Sequence, residues 1–312
     1  MDGEVGGMDR EVGGISGEAG GMDGDTAGMD GEVGRSDGAV LPVRWVRLGA
    51  LHVPYLEIGD HRGPPVVLLP GLSDGLAPIT RASARRTYTE VPLPLERIRG
   101  IVVSHRSTVT SEVTTRQLAE DIGSVLEVVL DEPAVVVAHS MGGMVAQHLA
   151  ADRPELVSGL VLTASSARPD DAVRDVLARW DALLIAHRFE AFARDAVATS
   201  FTGAGRRDRE RLLALDPPPP PPTALIPRHL ALSRACATHD AVGRLATIEH
   251  PALVVAGADD EVIPSRQSEA LAAGLAQARF VGLDGVGHGF PEQDRQRYMD
   301  HVVPFVTDLS AG

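Results

Sequence analysis

The stretch Ala134-Val135-Val136-Val137-Ala138-His139-Ser140-Met141-Gly142-Gly143-Met144-Val145-Ala146 constrains this chain more than any other. Its first five residues are short, apolar and rich in β-branched side chains, as a strand covered on both faces should be. From Met144 the apolar residues Met144, Val145, Leu149 and Ala150 recur at helical spacing. Between the two patterns, small residues stand two before and two after Ser140. They let the chain turn sharply and lift Ser140 Oγ clear of the backbone. The helix N-terminus that follows offers N–H groups and the positive end of a dipole to an oxyanion. A serine here also suits the N-cap of a helix after a parallel strand, so the rest of the chain has to decide between the two roles.

The segments around it alternate. Val43 to Leu48 and Leu51 to Ile58 are rich in β-formers and separated by Gly49-Ala50, which predicts an antiparallel hairpin. Buried strands are predicted at Val66 to Leu69, Ile101 to Ser104, Leu156 to Leu162, Ala252 to Ala256 and Ala278 to Leu283. An amphipathic helix is predicted from about Ser111 to Leu130, with Leu118, Ile122, Val125, Val128 and Val129 on one stripe. Others are predicted from Ser265 to Gln277 and from Gln293 to Leu309. With the strand before Ser140 this makes an α/β fold: a mostly parallel eight-stranded sheet, opened by an antiparallel pair and flanked by helices.

From Ala164 to about Ile248 the strand signal disappears. Helical patterns at Ala172 to Ala186, Phe189 to Ser200 and Thr223 to Ala237 remain, interrupted by six prolines at Pro217 to Pro222 that should run as an exposed polyproline II segment. This predicts a helical cap, residues 164–248, inserted between two parts of a core, 39–163 and 249–312.

The first 38 residues differ in kind. They hold no aromatic residue and repeat with a period of seven, as in Met1-Asp2-Gly3-Glu4-Val5-Gly6-Gly7 followed by Met8-Asp9-Arg10-Glu11-Val12-Gly13-Gly14. Glycine at this density opposes a helix by roughly 1 kcal/mol per residue, and the apolar positions are too sparse for a coiled-coil seam. A disordered tail is expected, with Met22 and Met29 as alternative starts. The tail carries ten acidic residues against Arg10 and Arg35, so most of the net charge of −14 lies outside the predicted fold. No basic patch points to nucleic acid. Cys236 is the single cysteine, which excludes an intrachain disulfide and a CxxC metal or redox motif and fits a reducing compartment. With no apolar run of membrane-spanning length and no basic-then-apolar leader pattern, a cytoplasmic chain without membrane contacts is expected.

A serine hydroxyl is a poor nucleophile near neutral pH and needs a histidine held in one tautomer by a carboxylate. Two late segments offer them. After the strand Ala252 to Ala256 comes Gly257-Ala258-Asp259-Asp260-Glu261-Val262-Ile263-Pro264, an acidic turn at a strand's carboxyl end, where sites in open α/β sheets lie. After Leu283 comes Gly285-Val286-Gly287-His288-Gly289, whose glycines would let a loop carry His288 over the sheet.

Together these segments resemble the α/β-hydrolase superfamily, whose triad runs in the order serine, acid, histidine. The resemblance assigns Ser140 as nucleophile, His288 as base and Asp260 as the acid, since the family's acid commonly lies three residues after the turn glycine. Asp170 or Asp171 is the alternative where the acid follows the preceding core strand. It also implies an oxyanion hole made by the backbone N–H of Met141 and of Leu72, the latter in Leu69-Pro70-Gly71-Leu72-Ser73-Asp74-Gly75, where Pro70 replaces the family's histidine. Ser73 and Asp74 are candidate pocket residues, equally readable as turn residues. Ser104-His105-Arg106 stands where many relatives carry Asp-x-Arg-Gly, so the arginine is kept and the aspartate is not. His139 is read as packing, and His105, His187 and His239 lack metal-ligand spacing. Neither a metal nor a cofactor is implied.

The implied activity is hydrolysis of a small ester, lactone or related acyl compound through an acyl-enzyme, as in capped esterases, enol-lactonases and proline iminopeptidase-like members. Cofactor-free haloperoxidase or perhydrolase chemistry uses the same triad, and a non-enzymatic receptor on this fold is a third reading. Trp180, Leu183, Leu184, Phe189 and Phe192 could form an apolar acyl pocket or simply the core of the cap.

Overall fold

The computed structural model describes residues 42–80, 83–84 and 93–310 of the 312-residue chain, so the heptad-like repeat of residues 1–38 lies outside the described residues. Eight strands form one sheet: β1 (Val43–Leu48), β2 (Leu51–Gly59), β3 (Pro65–Leu69), β4 (Arg99–Val103), β5 (Ala134–His139), β6 (Val157–Thr163), β7 (Ala252–Gly257) and β8 (Ala278–Leu283). Their spatial order is β1-β2-β4-β3-β5-β6-β7-β8. β1 and β2 form the hairpin read from the sequence, with Leu48 opposite Leu51, and β2 runs antiparallel to β4. All later neighbours are parallel.

Parallel strands need crossovers, and the crossovers put helices on both faces. Successive side chains of one strand therefore enter different cores. Val136, Ala138, Leu160 and Leu162 pack on one face with Leu118, Ile122 and Val125 of helix α1 (Thr115–Val129) and with Val145 and Leu149 of helix α2 (Met141–Asp152). Val135, Val137, Val161, Leu253 and Val255 pack on the other with Tyr298, Val302 and Val306. This is why the strands read as unbroken apolar runs.

The predicted start of α1 at Ser111 is four residues early. Thr114 forms a capping box with Gln117, accepting from its backbone N–H at 3.2 Å while Gln117 Oε1 accepts from Thr114 N at 3.0 Å, and this fixes the first turn at Thr115. Between β6 and β7 lie four helices, α3 (Asp171–Ile185), α4 (Phe189–Ser200), α5 (Gly203–Leu215) and α6 (Ile226–Ala237). Helix α5 was not predicted. None of its side chains is buried, so it leaves no apolar stripe, and it is supported instead by an Arg206–Glu210 pair and by contact with α4. Helix α7 (Ser265–Gly274) follows β7, a single turn α8 (Phe290–Gln293) comes next, and the last predicted helix is α9 (Arg295–Ser310). Among the described residues no helix is long and apolar enough to cross a membrane.

The strand order places the site. The chain leaves β3 toward β4 on one side and leaves β5 toward β6 on the other, so a crevice opens between the carboxyl ends of β3 and β5. The loops after these two strands carry Gly71–Gly75 and Ser140.

Candidate active site

Ser140 joins β5 to α2 with φ 54° and ψ −118°, a left-handed conformation that a non-glycine residue holds only when its surroundings impose it. The surroundings are tight. Ala138 is fully buried, and a side chain at Gly142 would collide with the carbonyls of Leu69 and Pro70. The Ser140 N–H is tied to Thr163 O at 2.8 Å. Ser140 does occupy the N-cap position of α2, yet its side chain caps nothing. Its Oγ lies 3.0 Å from His288 Nε2 instead.

His288 Nδ1 lies 2.8 Å from Asp260 Oδ2. Because that carboxylate oxygen only accepts, Nδ1 donates and Nε2 is left as acceptor for the Ser140 hydroxyl. Asp260 is buried, and its Oδ1 accepts from Val262 N and Ile263 N at 2.8 Å each, which fixes the carboxylate in the turn after β7. The neighbouring Asp259 is exposed. Asp170 caps α3 through Val173 N at 3.2 Å and pairs with Arg266, while Asp171 pairs with Arg174 at the surface, so neither meets His288.

The glycines flanking His288 serve another purpose than the loop freedom expected of them. A Cβ on Gly287 would lie 2.7 Å from Ser200 O, and one on Gly289 would enter the Phe201 ring. They allow close packing against the end of α4, and of the three glycines in this loop only Gly285 has a positive φ, 76°. His139 Nε2 donates to His288 O at 3.3 Å. Burial, and then the neighbouring His288, push its pKa down to about 4, so it stays neutral, and its ring lies 5.0 Å from that of His288. This role goes beyond the packing read from the sequence.

Two helical starts meet at Ser140. Met141 opens α2, and Leu72 opens a short 3-10 turn, Leu72–Gly75; a Cβ on Gly71 would lie 3.2 Å from Ser140 Cβ. First-turn amides lack intrahelical acceptors, which makes both N–H groups candidate donors to an oxyanion.

Asp74 is held away from that spot. Buried Arg228 of α6 pairs with its carboxylate at 2.6 Å, also bonds its backbone carbonyl, and reaches the carbonyls of His105 at 2.9 Å and Arg106 at 3.1 Å. Ser104 Oγ donates to Asp74 Oδ1 at 2.5 Å, and His105 N to Oδ2 at 3.1 Å. The carboxylate missing after β4 is thus supplied from the loop after β3, while Arg106 turns to Asp121. Sequence reading missed Arg228, because a lone arginine on a helix gives no sign of being buried.

Ser73 and Asp74 border a cavity of about 470 Å³ that also touches Gly71, Ala138 and His139. The apolar residues read as an acyl pocket sit within the insertion. Trp180 and Leu184 are buried, Trp180 stacks edge-on against Phe192 at 6.2 Å, and its indole N–H donates to Asp195 at 2.8 Å. Phe189 meets His187 instead, and Leu183 is half-buried. His239 is buried against Thr115 at 2.8 Å. Among the described residues no cluster of three metal-ligating side chains occurs.

A hydroxyl, an imidazole and a carboxylate in one hydrogen-bonded line can move a proton off oxygen. The chain is 29% identical to RutD of Caulobacter vibrioides, provisionally named a carbamate hydrolase, over 66% of this chain and 79% of that one. It is 30% identical to the pimeloyl-[acyl-carrier protein] methyl ester esterase of Chromobacterium violaceum over 62% and 74%. The enol-lactonase of Burkholderia xenovorans LB400 superposes with a TM-score of 0.64 at 20% identity, covering 84% of this chain and 99% of its own. A family profile described as alpha/beta hydrolase fold matches residues 64–294, and the chain belongs to that family.

Proposed function

We propose that this protein is a serine hydrolase that cleaves a small carboxylic ester, lactone or carbamate through an acyl-enzyme. The observation that carries the reading is the line Ser140 Oγ, His288, Asp260, with bonds of 3.0 and 2.8 Å, starting from a serine held at positive φ. In the forward half, Ser140 Oγ attacks the carbonyl carbon as its proton passes to His288 Nε2. The carbonyl oxygen becomes an oxyanion facing the N–H groups of Met141 and Leu72. His288 then returns the proton to the leaving oxygen or nitrogen, and Asp260 holds the imidazolium in place. Water repeats the sequence against the acyl-serine and releases the acid. The names of the relatives, a methyl ester esterase and a carbamate hydrolase, agree with a carbonyl joined to oxygen or nitrogen. On this reading the insertion 164–248 acts as a cap whose inner face selects the acyl group.

A panel of short-chain esters, lactones and alkyl carbamates tests the proposal. At least one class is expected to turn over, and Ser140→Ala is expected to abolish that turnover. Undiminished turnover by the alanine variant would overturn it.

A further inference from the structure

The corner between α4 and α5 grips the His288 loop from both sides. Ser200 O accepts the N–H of Gly289 at 2.8 Å and leaves no space for a side chain on Gly287, so one carbonyl brackets His288 at the residues before and after it. Two residues on, Thr202 Oγ1 donates to Gly285 O at 2.7 Å, and Thr202 N donates to Gln293 Oε1 at 3.2 Å. Gln293 Nε2 returns bonds to Thr202 Oγ1 at 3.0 Å and to Thr202 O at 3.3 Å. Arg209 of α5 stacks over Phe201 at 3.9 Å and pairs with Glu292 at 2.5 Å, which fastens the same corner to α8.

We propose that Thr202 is a positioning residue for His288: by tying the corner to Gly285 and Gln293 at either end of the histidine loop, it sets the ring's distance to Ser140 Oγ. The proposal rests on the reading of Ser140 and His288 given above. A general base has to sit within hydrogen-bond reach of the proton it takes, and displacements of about 1 Å cost on the order of 100-fold in rate. The ring's other restraints, from Asp260 and from His139, act at Nδ1 and at the His288 carbonyl. On the β7 side the Asp259 N–H holds Val286 O at 3.0 Å, and the corner adds a second hold on the same loop at Gly285 and Gly289. The insertion is then part of the proton-transfer apparatus and not only a cover over it.

The test uses the full chain and a fluorophosphonate, which needs no knowledge of the natural substrate. Thr202→Val, Thr202→Ser and Gln293→Met are compared by the rate of phosphonylation at saturation, by the half-saturating concentration, and by the downfield proton resonance of the His288–Asp260 bond. Thr202→Val should lower the saturated rate about ten-fold, leave half-saturation within two-fold, and shift the resonance. Thr202→Ser, which keeps the hydroxyl, should restore both, and Gln293→Met should follow the valine variant in direction. A Thr202→Val protein with the parent rate and resonance overturns the proposal, whatever its melting temperature, as does a serine variant as slow as valine. A parent protein that is not phosphonylated at Ser140 overturns the underlying reading as well, a result distinct from labelling that ignores position 202.

Discussion

At the scale of single residues, the environment decides which side chains are set for chemistry and which carry a cost. Asp181 shows the second case. It projects from α3 toward α6 with only the Ser233 hydroxyl, at 2.9 Å, on one oxygen and no partner on the other. Burial raises its pKa from 3.8 to about 6, against the lowering effect of Ser233. The folded protein therefore binds a proton that the unfolded chain has lost between those two values, and stability falls as pH rises through that window. Above pH 6 the half-buried charge costs about 1–2 kcal/mol once solvent screening is allowed for. Asp181→Asn should raise the melting temperature by several degrees at pH 7.5 and give no gain below pH 4, as measured by calorimetry. An equal gain at both values would contradict this account of Asp181.

Among elements, α6 and the loop after β3 are joined by charge. Arg228 and Asp74 are both nearly inaccessible, with side-chain exposures of 5% and 2%. Removing one partner of such a pair leaves a buried charge without compensation, at about 3–5 kcal/mol, whereas replacing both with apolar groups is often close to neutral. Arg228→Met alone should lose stability on that scale in urea. Adding Asp74→Leu should recover only part of it, because the carbonyls that Arg228 serves and the Ser104 and His105 donors that Asp74 serves stay unpaired; a double variant as unstable as the single one would show that the pairing itself matters little. The pair was not legible in the sequence because its members lie 154 positions apart and Arg228 sits in no motif. By contrast, β5, Ser140 and α2 were legible, since strand, turn and helix are consecutive and each leaves its own periodicity. Helix α5 illustrates the limit: a helix with no buried face has no amphipathic signature to read.

The whole molecule stores a pH dependence in its histidines. His105, His139, His148 and His229 have pKa values pushed down to about 4, and His239 to about 3, from an ordinary value of 6.5, in each case first by burial. They are neutral in the fold and would protonate in the unfolded chain, so the unfolded state binds more protons below pH 6.5. Their contribution is complete above pH 6.5 and is lost as pH falls toward 4. Five such groups outweigh the opposite trend of Asp181, so the melting temperature should fall steeply between pH 6.5 and 4, with net proton uptake on unfolding at pH 5. A flat profile over that range would contradict the neutral burial of these rings. The mostly parallel sheet opened by an antiparallel pair followed from the alternation of strands and helices that the sequence displays; its strand order did not. The burial of His105, His148, His229 and His239 was not legible there, since an isolated histidine reads alike on a surface and in a core.

The central claim is that Ser140 is the nucleophile and that His288 and Asp260 activate it. Peptide mapping by mass spectrometry after fluorophosphonate treatment tests it most directly. The adduct should lie on the peptide holding Ser140, be absent from Ser140→Ala, and form at least 100-fold more slowly in His288→Ala and Asp260→Asn. An adduct on another serine, or one that forms at the parent rate without His288, would contradict the account.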